Sequence, residues 1–156
     1  MGAIPAFEII MHRVLWSFLF LLPVLLLQHQ FDTFKQALCT SSTRLILLLT
    51  TLLEGGNWLG YIWAVNHNQI LQTSLGYFIS PLVSIVLGLL FLRERLRRAQ
   101  KIAVLMATGG MLYLGFHYGQ FPWIAIFLAV TFGLYGLIRK IAPVGALVGL
   151  AVETLF

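Results

Sequence analysis

Charge is what this sequence has least of. Of its 156 residues only 10% are Asp, Glu, Lys or Arg, against 60% hydrophobic, and the mean hydropathy is +0.92. A soluble domain carries about a quarter charged residues. Cysteine is nearly missing: the lone Cys39 excludes a disulfide scaffold. No G-X-Y period is present, which excludes a collagen-like chain, and the apolar content excludes disorder. Enzyme signatures are missing as well. There is no HExxH, no G-x-S-x-G and no P-loop, and the histidines are scattered at 12, 29, 67 and 117. No metal, no cofactor and no catalytic constellation are expected.

What fills the space is long apolar runs. A helix crossing the hydrocarbon core needs about 20 mainly apolar residues. Five stretches fit: about Phe7–Leu27, Leu45–Val65, Thr73–Leu92, Ile102–Tyr118 and Pro122–Ile138. They are continuously apolar and do not alternate, so helices are the expected spanning form. A sixth apolar stretch opens at Pro143, too short to cross before Phe156. The expected fold is therefore all-α: a polytopic transmembrane helix bundle of five spans plus the start of a sixth.

The cationic residues test that count. Lys and Arg collect in cytoplasmic connections. Lys35 and Arg44 lie between the first two spans, and the next connection, 66–72, has none. Arg93, Arg95, Arg97, Arg98 and Lys101 crowd the third connection; the fourth, His117–Phe121, has none; Arg139 and Lys140 follow the fifth span. This alternation places the residue-1 end outside. The net charge of +5 thus stands where insertion requires it, and no nucleic-acid partner is expected. The RERLRR run meets anionic headgroups. A secretory signal peptide is not expected, and Cys39 falls in a cytoplasmic connection as a free thiol.

Several residues inside the spans suit lipid poorly. An ionisable group there costs about 2.5–3.5 kcal/mol on insertion scales and asks for a partner or water. Arg13 is the clearest case; it either snorkels to the outer headgroups or lines a polar cavity, where its planar guanidinium suits a carboxylate or phosphate. Glu8 and His12, four apart, share a face. In the second span Glu54, Asn57, Trp58 and Tyr61 fall on one helical face, either lining a site for a small amphipathic solute or holding helices together. Gly56 and Gly60 have G-x-x-x-G spacing for close helix approach. In the third span Ser74, Tyr77, Pro81, Ser84 and Gly88 form a small or polar stripe, and Pro81 frees the carbonyl of Tyr77 for water, a hydroxyl or a ligand, or simply kinks the helix. Gly109, Gly110, Gly133 and Gly136 look like packing positions, and His67 and His117 like solvated loop residues.

The run GGNWLGYIWAVN, followed by SLGYFISPLVSIVLGLLFLRERLRRAQ, strongly resembles the RarD permeases, a branch of the EamA-type transporters in the drug/metabolite transporter superfamily. HRVLWS and FGLYGLIRK resemble the same family, and the likeness covers almost the whole chain. Membership implies a bacterial inner-membrane permease of ten spans in two inverted five-span repeats, with a name linked to chloramphenicol sensitivity. Against that pattern, residues 1–120 read as a first repeat lacking its first span, and 121–156 as the start of a second, so the chain reads as incomplete. An odd number of spans per repeat inserts consecutive repeats in opposite orientation. A shift of 140 residues lays Arg13 over Glu153, which suggests a pseudo-symmetric gate or site pair. Asn57, Trp58, Tyr77 and Pro81 match the family pattern; Glu54 stands where the family has an apolar residue, so no family role is carried onto it.

The resulting expectation is a secondary transporter of a small organic solute or drug-like metabolite, working by alternating access. Arg13, Glu54, Asn57, Trp58, Tyr61, Tyr77, Pro81 and Glu153 form its candidate binding or gating set, with Glu54 and Glu153 the carboxylates available for ion coupling. The alternative is a truncated, non-transporting membrane product, or a half-unit that must assemble with another copy. The expected partners are the lipid bilayer, a small solute and a second copy of the chain.

Overall fold

The computed structural model describes residues 6–118 and 121–156, with side chains for 7–113 and 121–156. Among these residues it is all helix and turn, with no strand. The helices are α1 (Ala6–Leu27), α2 (Phe31–Cys39), α3 (Ser41–Asn66), α4 (Ile70–Phe91), α5 (Arg98–Tyr118), α6 (Trp123–Ile141) and α7 (Ala146–Glu153). Four of them, α1, α3, α4 and α6, are long and apolar enough to cross a membrane. The expected fourth span lies within α5, a helix of 21 residues that starts at the charged end of the RERLRR run. Leu27, Phe20, Trp16, Phe91 and Met106 are each more than 60% exposed. Apolar surface on that scale is what a bilayer covers.

The connections end helices in a way the residue types do not announce. His29, Asn68 and Arg93 all adopt positive φ, between 52° and 59°. After α1, the Gln30 N–H reaches back to the Leu25 carbonyl and the His29 N–H to Leu26; after α3, Gln69 and Asn68 repeat the pattern on Ala64 and Val65. This left-handed cap usually takes glycine. Here it holds two bulky side chains, because the reversed chain must satisfy the last carbonyls before it turns.

The chain divides into two compact units. One comprises residues 1–59 and 138–156, the other residues 60–137.

In the first unit, Leu21 and Leu25 of α1, Phe34 and Ala37 of α2, Leu47 of α3, and Val148, Ala151 and Val152 of α7 form one buried cluster. The short helix α2 was not foreseen in the first connection. Its sequence explains it: Phe31, Phe34 and Leu38 recur at three and four residues, while Asp32, Lys35 and Gln36 face out. Asp32 in its first turn suits the positive end of the helix dipole.

In the second unit, Leu75 and Ile79 of α4 meet Ala125 and Ala129 of α6, and Ala64 packs with Ile124 and Leu128. Without a hydrophobic drive between helices in lipid, close approach of small residues carries the packing. A Cβ on Gly76 would lie 3.3 Å from the Ala125 carbonyl, and one on Gly133 would lie 2.8 Å from Val83. Gly60 packs against the Phe127 ring. By contrast Gly56, Gly109, Gly110 and Gly136 have nothing within 4 Å, so four of the expected packing glycines meet open space among the described residues. The α4 stripe also turns out differently. Gln72, Thr73, Leu75, Gly76, Ile79 and Ser80 are the buried face, whereas Ser74, Tyr77, Pro81 and Ser84 are exposed and only Gly88 of the expected stripe is buried. The helix runs on through Pro81.

Hydroxyls inside the helices are satisfied locally. Thr51 donates to Leu47, Ser74 to Ile70, Ser80 to Gly76 and Thr108 to Val104, each four residues back. In an apolar medium this removes the cost of an unpaired O–H.

Candidate functional site

The first unit gathers the ionisable groups that lipid tolerates least. On α3, Leu47, Thr50, Glu54 and Trp58 recur at three, four and four residues, so they share one helical face. Trp58 lies one turn beyond Glu54, and its indole Nε1–H donates to Glu54 Oε1 at 2.8 Å. That bond fixes the ring's orientation. The Arg13 guanidinium from α1 sits over the ring, 3.7 Å from its centroid. A cation over a tryptophan face is the strongest of the aromatic pairings of this type. The second Glu54 oxygen, Oε2, is buried and has no hydrogen-bond partner among the described residues.

One turn back along the same face of α3, Thr50 is fully buried. Its hydroxyl lies 2.6 Å from Glu153 Oε1 on α7 and 2.9 Å from the Leu47 carbonyl. One hydroxyl proton serves one acceptor at a time, and the shorter contact to a carboxylate is the stronger. Arg139, in the last turn of α6, brings Nε to 3.4 Å from the same Glu153 oxygen; the two side chains are 14% and 6% exposed. Its Nη2 donates to the Ala146 carbonyl at 3.2 Å, while Nη1 is buried without a partner among the described residues. Gly149 makes room for this: any side chain there would overlap the guanidinium. The unit thus holds two guanidiniums and two carboxylates around one face of α3.

Of the residues read from the sequence, Arg13, Glu54, Trp58 and Glu153 come together here. Asn57 is half-buried one turn from Glu54. Tyr61 and Tyr77 meet in the other unit, edge to face with centroids 5.8 Å apart, Tyr77 being 62% exposed. Pro81 is exposed on α4. Arg139 and Thr50 were missed. Arg139 ends a span and reads as a cytoplasmic flank, yet it turns inward to Glu153. The signal for it is Gly149, four residues before Glu153 on the same face of α7, which opens a slot for a long side chain. His67 is exposed but engaged, with Nδ1 2.8 Å from the Trp63 carbonyl and its ring stacked on that indole. His117 lies outside the described side chains.

The chain's relatives agree with one another. The profile of the EamA-like transporter family matches residues 1–116. Protein RarD of Salmonella typhi is 48% identical over 98% of this chain and 52% of its own length. A transporter of Bacillus subtilis, YojE, is 44% identical over 97% of this chain and 52% of its own. The chloramphenicol-sensitive protein RarD of Pseudomonas aeruginosa is 31% identical over 98% and 52%. The chain therefore spans about half the length of the curated relatives it matches. No solved structure matches it.

Proposed function

The chain belongs to the EamA-like transporter family, and from that premise we propose that it serves as a multi-pass permease of the bacterial inner membrane, moving a small organic solute by alternating access. The observation that carries this reading is Arg13 stacked on Trp58 beside the Glu54 carboxylate. Helix packing alone needs neither an ionised pair nor an oriented indole, and each ionised group in a span raises the cost of insertion. A flat aromatic face with one charge of each sign beside it orients an amphipathic solute. The Arg13–Trp58–Glu54 group then forms the recognition end. The Glu153–Arg139–Thr50 cluster forms a closure that parts when the opposite side opens. The driving force is a gradient of the solute or of a coupled ion, the free energy that secondary transporters use.

The test is flux into liposomes carrying the 156-residue chain. Chloramphenicol, benzoate and benzylguanidinium supply a neutral, an anionic and a cationic aromatic solute. At least one is expected to equilibrate faster than in protein-free liposomes, and Trp58→Ala is expected to slow it about tenfold, the order of a desolvated cation–aromatic contact. Equal flux of all three with and without protein would overturn the reading.

A further inference from the structure

Resting on the permease reading, we infer that the solute taken at the Arg13–Trp58–Glu54 site is an organic cation, and that Arg13 is the chain's own occupant of the place this cation takes. The argument starts from which charge answers which. Arg139 is committed to Glu153, at 3.4 Å, and to the Ala146 carbonyl. The cation left beside Glu54 is Arg13, which lies over the indole that Glu54 holds.

The two cations are held differently. Arg139 is wedged over Gly149 with its side chain largely buried, whereas Arg13 is exposed and rests on the ring face. Arg13 is thus the one that can leave. Its departure uncovers an indole face, held in place by the bond to Glu54 Oε1, and a carboxylate whose Oε2 has no donor among the described residues.

That pairing is a receptor for a cation. An ammonium or guanidinium covers the ring as Arg13 does, and its charge is placed beside the Glu54 carboxylate that holds the indole. A neutral solute would leave the Glu54 charge unanswered. An anion bound at Arg13 would sit beside the Glu54 carboxylate that holds the same indole. Exchange of one cation for another keeps the local charge constant, so the site is never left as a bare carboxylate within the span. Arg13 then competes with the solute and does not hold it.

The test measures binding to the full chain in lipid nanodiscs, with empty nanodiscs as the reference. Benzylguanidinium is the cationic probe, benzyl alcohol the neutral one and benzoate the anionic one. Only benzylguanidinium is expected to bind. Arg13→Ala is expected to tighten it about tenfold, and Glu54→Gln and Trp58→Leu to weaken it about tenfold each. Trp58→Phe keeps an aromatic face without the N–H and is expected to fall between, with unchanged helicity showing that the fold persists. Benzoate binding that vanishes in Arg13→Ala would overturn the proposal, as would weaker benzylguanidinium binding in that variant or no binding at all. Flux of chloramphenicol or benzoate without benzylguanidinium binding would leave the permease reading intact and sink this one. Benzylguanidinium binding with no flux of any solute would do the reverse.

Discussion

Removing one partner of a buried ion pair and removing both have opposite consequences. Glu153 and Arg139 are both largely buried, and the pair is completed by Thr50 and the Ala146 carbonyl. Taking away the guanidinium strands a carboxylate in a medium that solvates it poorly. Taking away both charges leaves two apolar side chains where packing prefers them. Arg139→Met is therefore expected to destabilise the protein by about 3–5 kcal/mol, read as the shift in its unfolding midpoint in mixed detergent micelles. The double change Arg139→Met with Glu153→Met is expected to recover most of that loss. If it instead destabilises as much as the single change, the cluster holds the fold through more than mutual neutralisation. The same residues show where reading a sequence stops. Arg13 and Glu153 stand out because lipid rejects charge. Arg139 does not, because its position at the end of a span has a sufficient explanation in insertion, and only α7 folded back beside it reveals the second role.

At the scale of helices, apolar run length was a good guide to where elements lie, and residue spacing a poor guide to which face is buried. The expected spans match α1, α3, α4, α5 and α6 to within a few residues at most ends, since an apolar run bounded by charge admits little else. The faces were harder. In a soluble helix the apolar side is the inside, but a helix in lipid is apolar all round. Small residues then mark either close packing or nothing: Gly76 and Gly133 lie against α6 and α4 residues, while Gly109 and Gly136 meet open space among the described residues. The buried Gln72 was equally invisible. Its side chain, on α4, accepts a hydrogen bond from the Ile124 backbone N–H at 3.2 Å and donates to Gln69 at 3.1 Å. It caps the start of α6 from another helix, where α6 has unpaired N–H groups and its own sequence offers Pro122 and Trp123. Gln72→Leu keeps the volume and removes the acceptor. The stranded N–H should cost about 1–3 kcal/mol. Amide hydrogen exchange over residues 123–126 is expected to quicken about tenfold or more in that variant. Unchanged exchange there would mean that the cap is carried by another group.

For the molecule as a whole, orientation in the bilayer decides toward which side Arg13 and the Trp58 ring lie. The alternation of Lys and Arg between connections leads to the expectation that Lys35, Arg44 and the RERLRR run face the cytoplasm. The fold supplies a reporter for this without any added label. Cys39 is the only cysteine in the chain, and it is exposed at the end of α2 between Lys35 and Arg44. A maleimide too polar to cross the bilayer is expected to modify Cys39 in inverted membrane vesicles and to leave it unmodified in intact cells. Cys39→Ser gives the blank, since it removes the only thiol. Modification in intact cells alone would reverse the orientation of every helix, turning the α1 end that carries Arg13 toward the cytoplasm. Modification from both sides would mean that two orientations coexist, against the one-sided distribution of Lys and Arg between the connections. On the proposed permease reading, the labelling pattern decides from which side of the membrane a solute would first meet the Trp58 face.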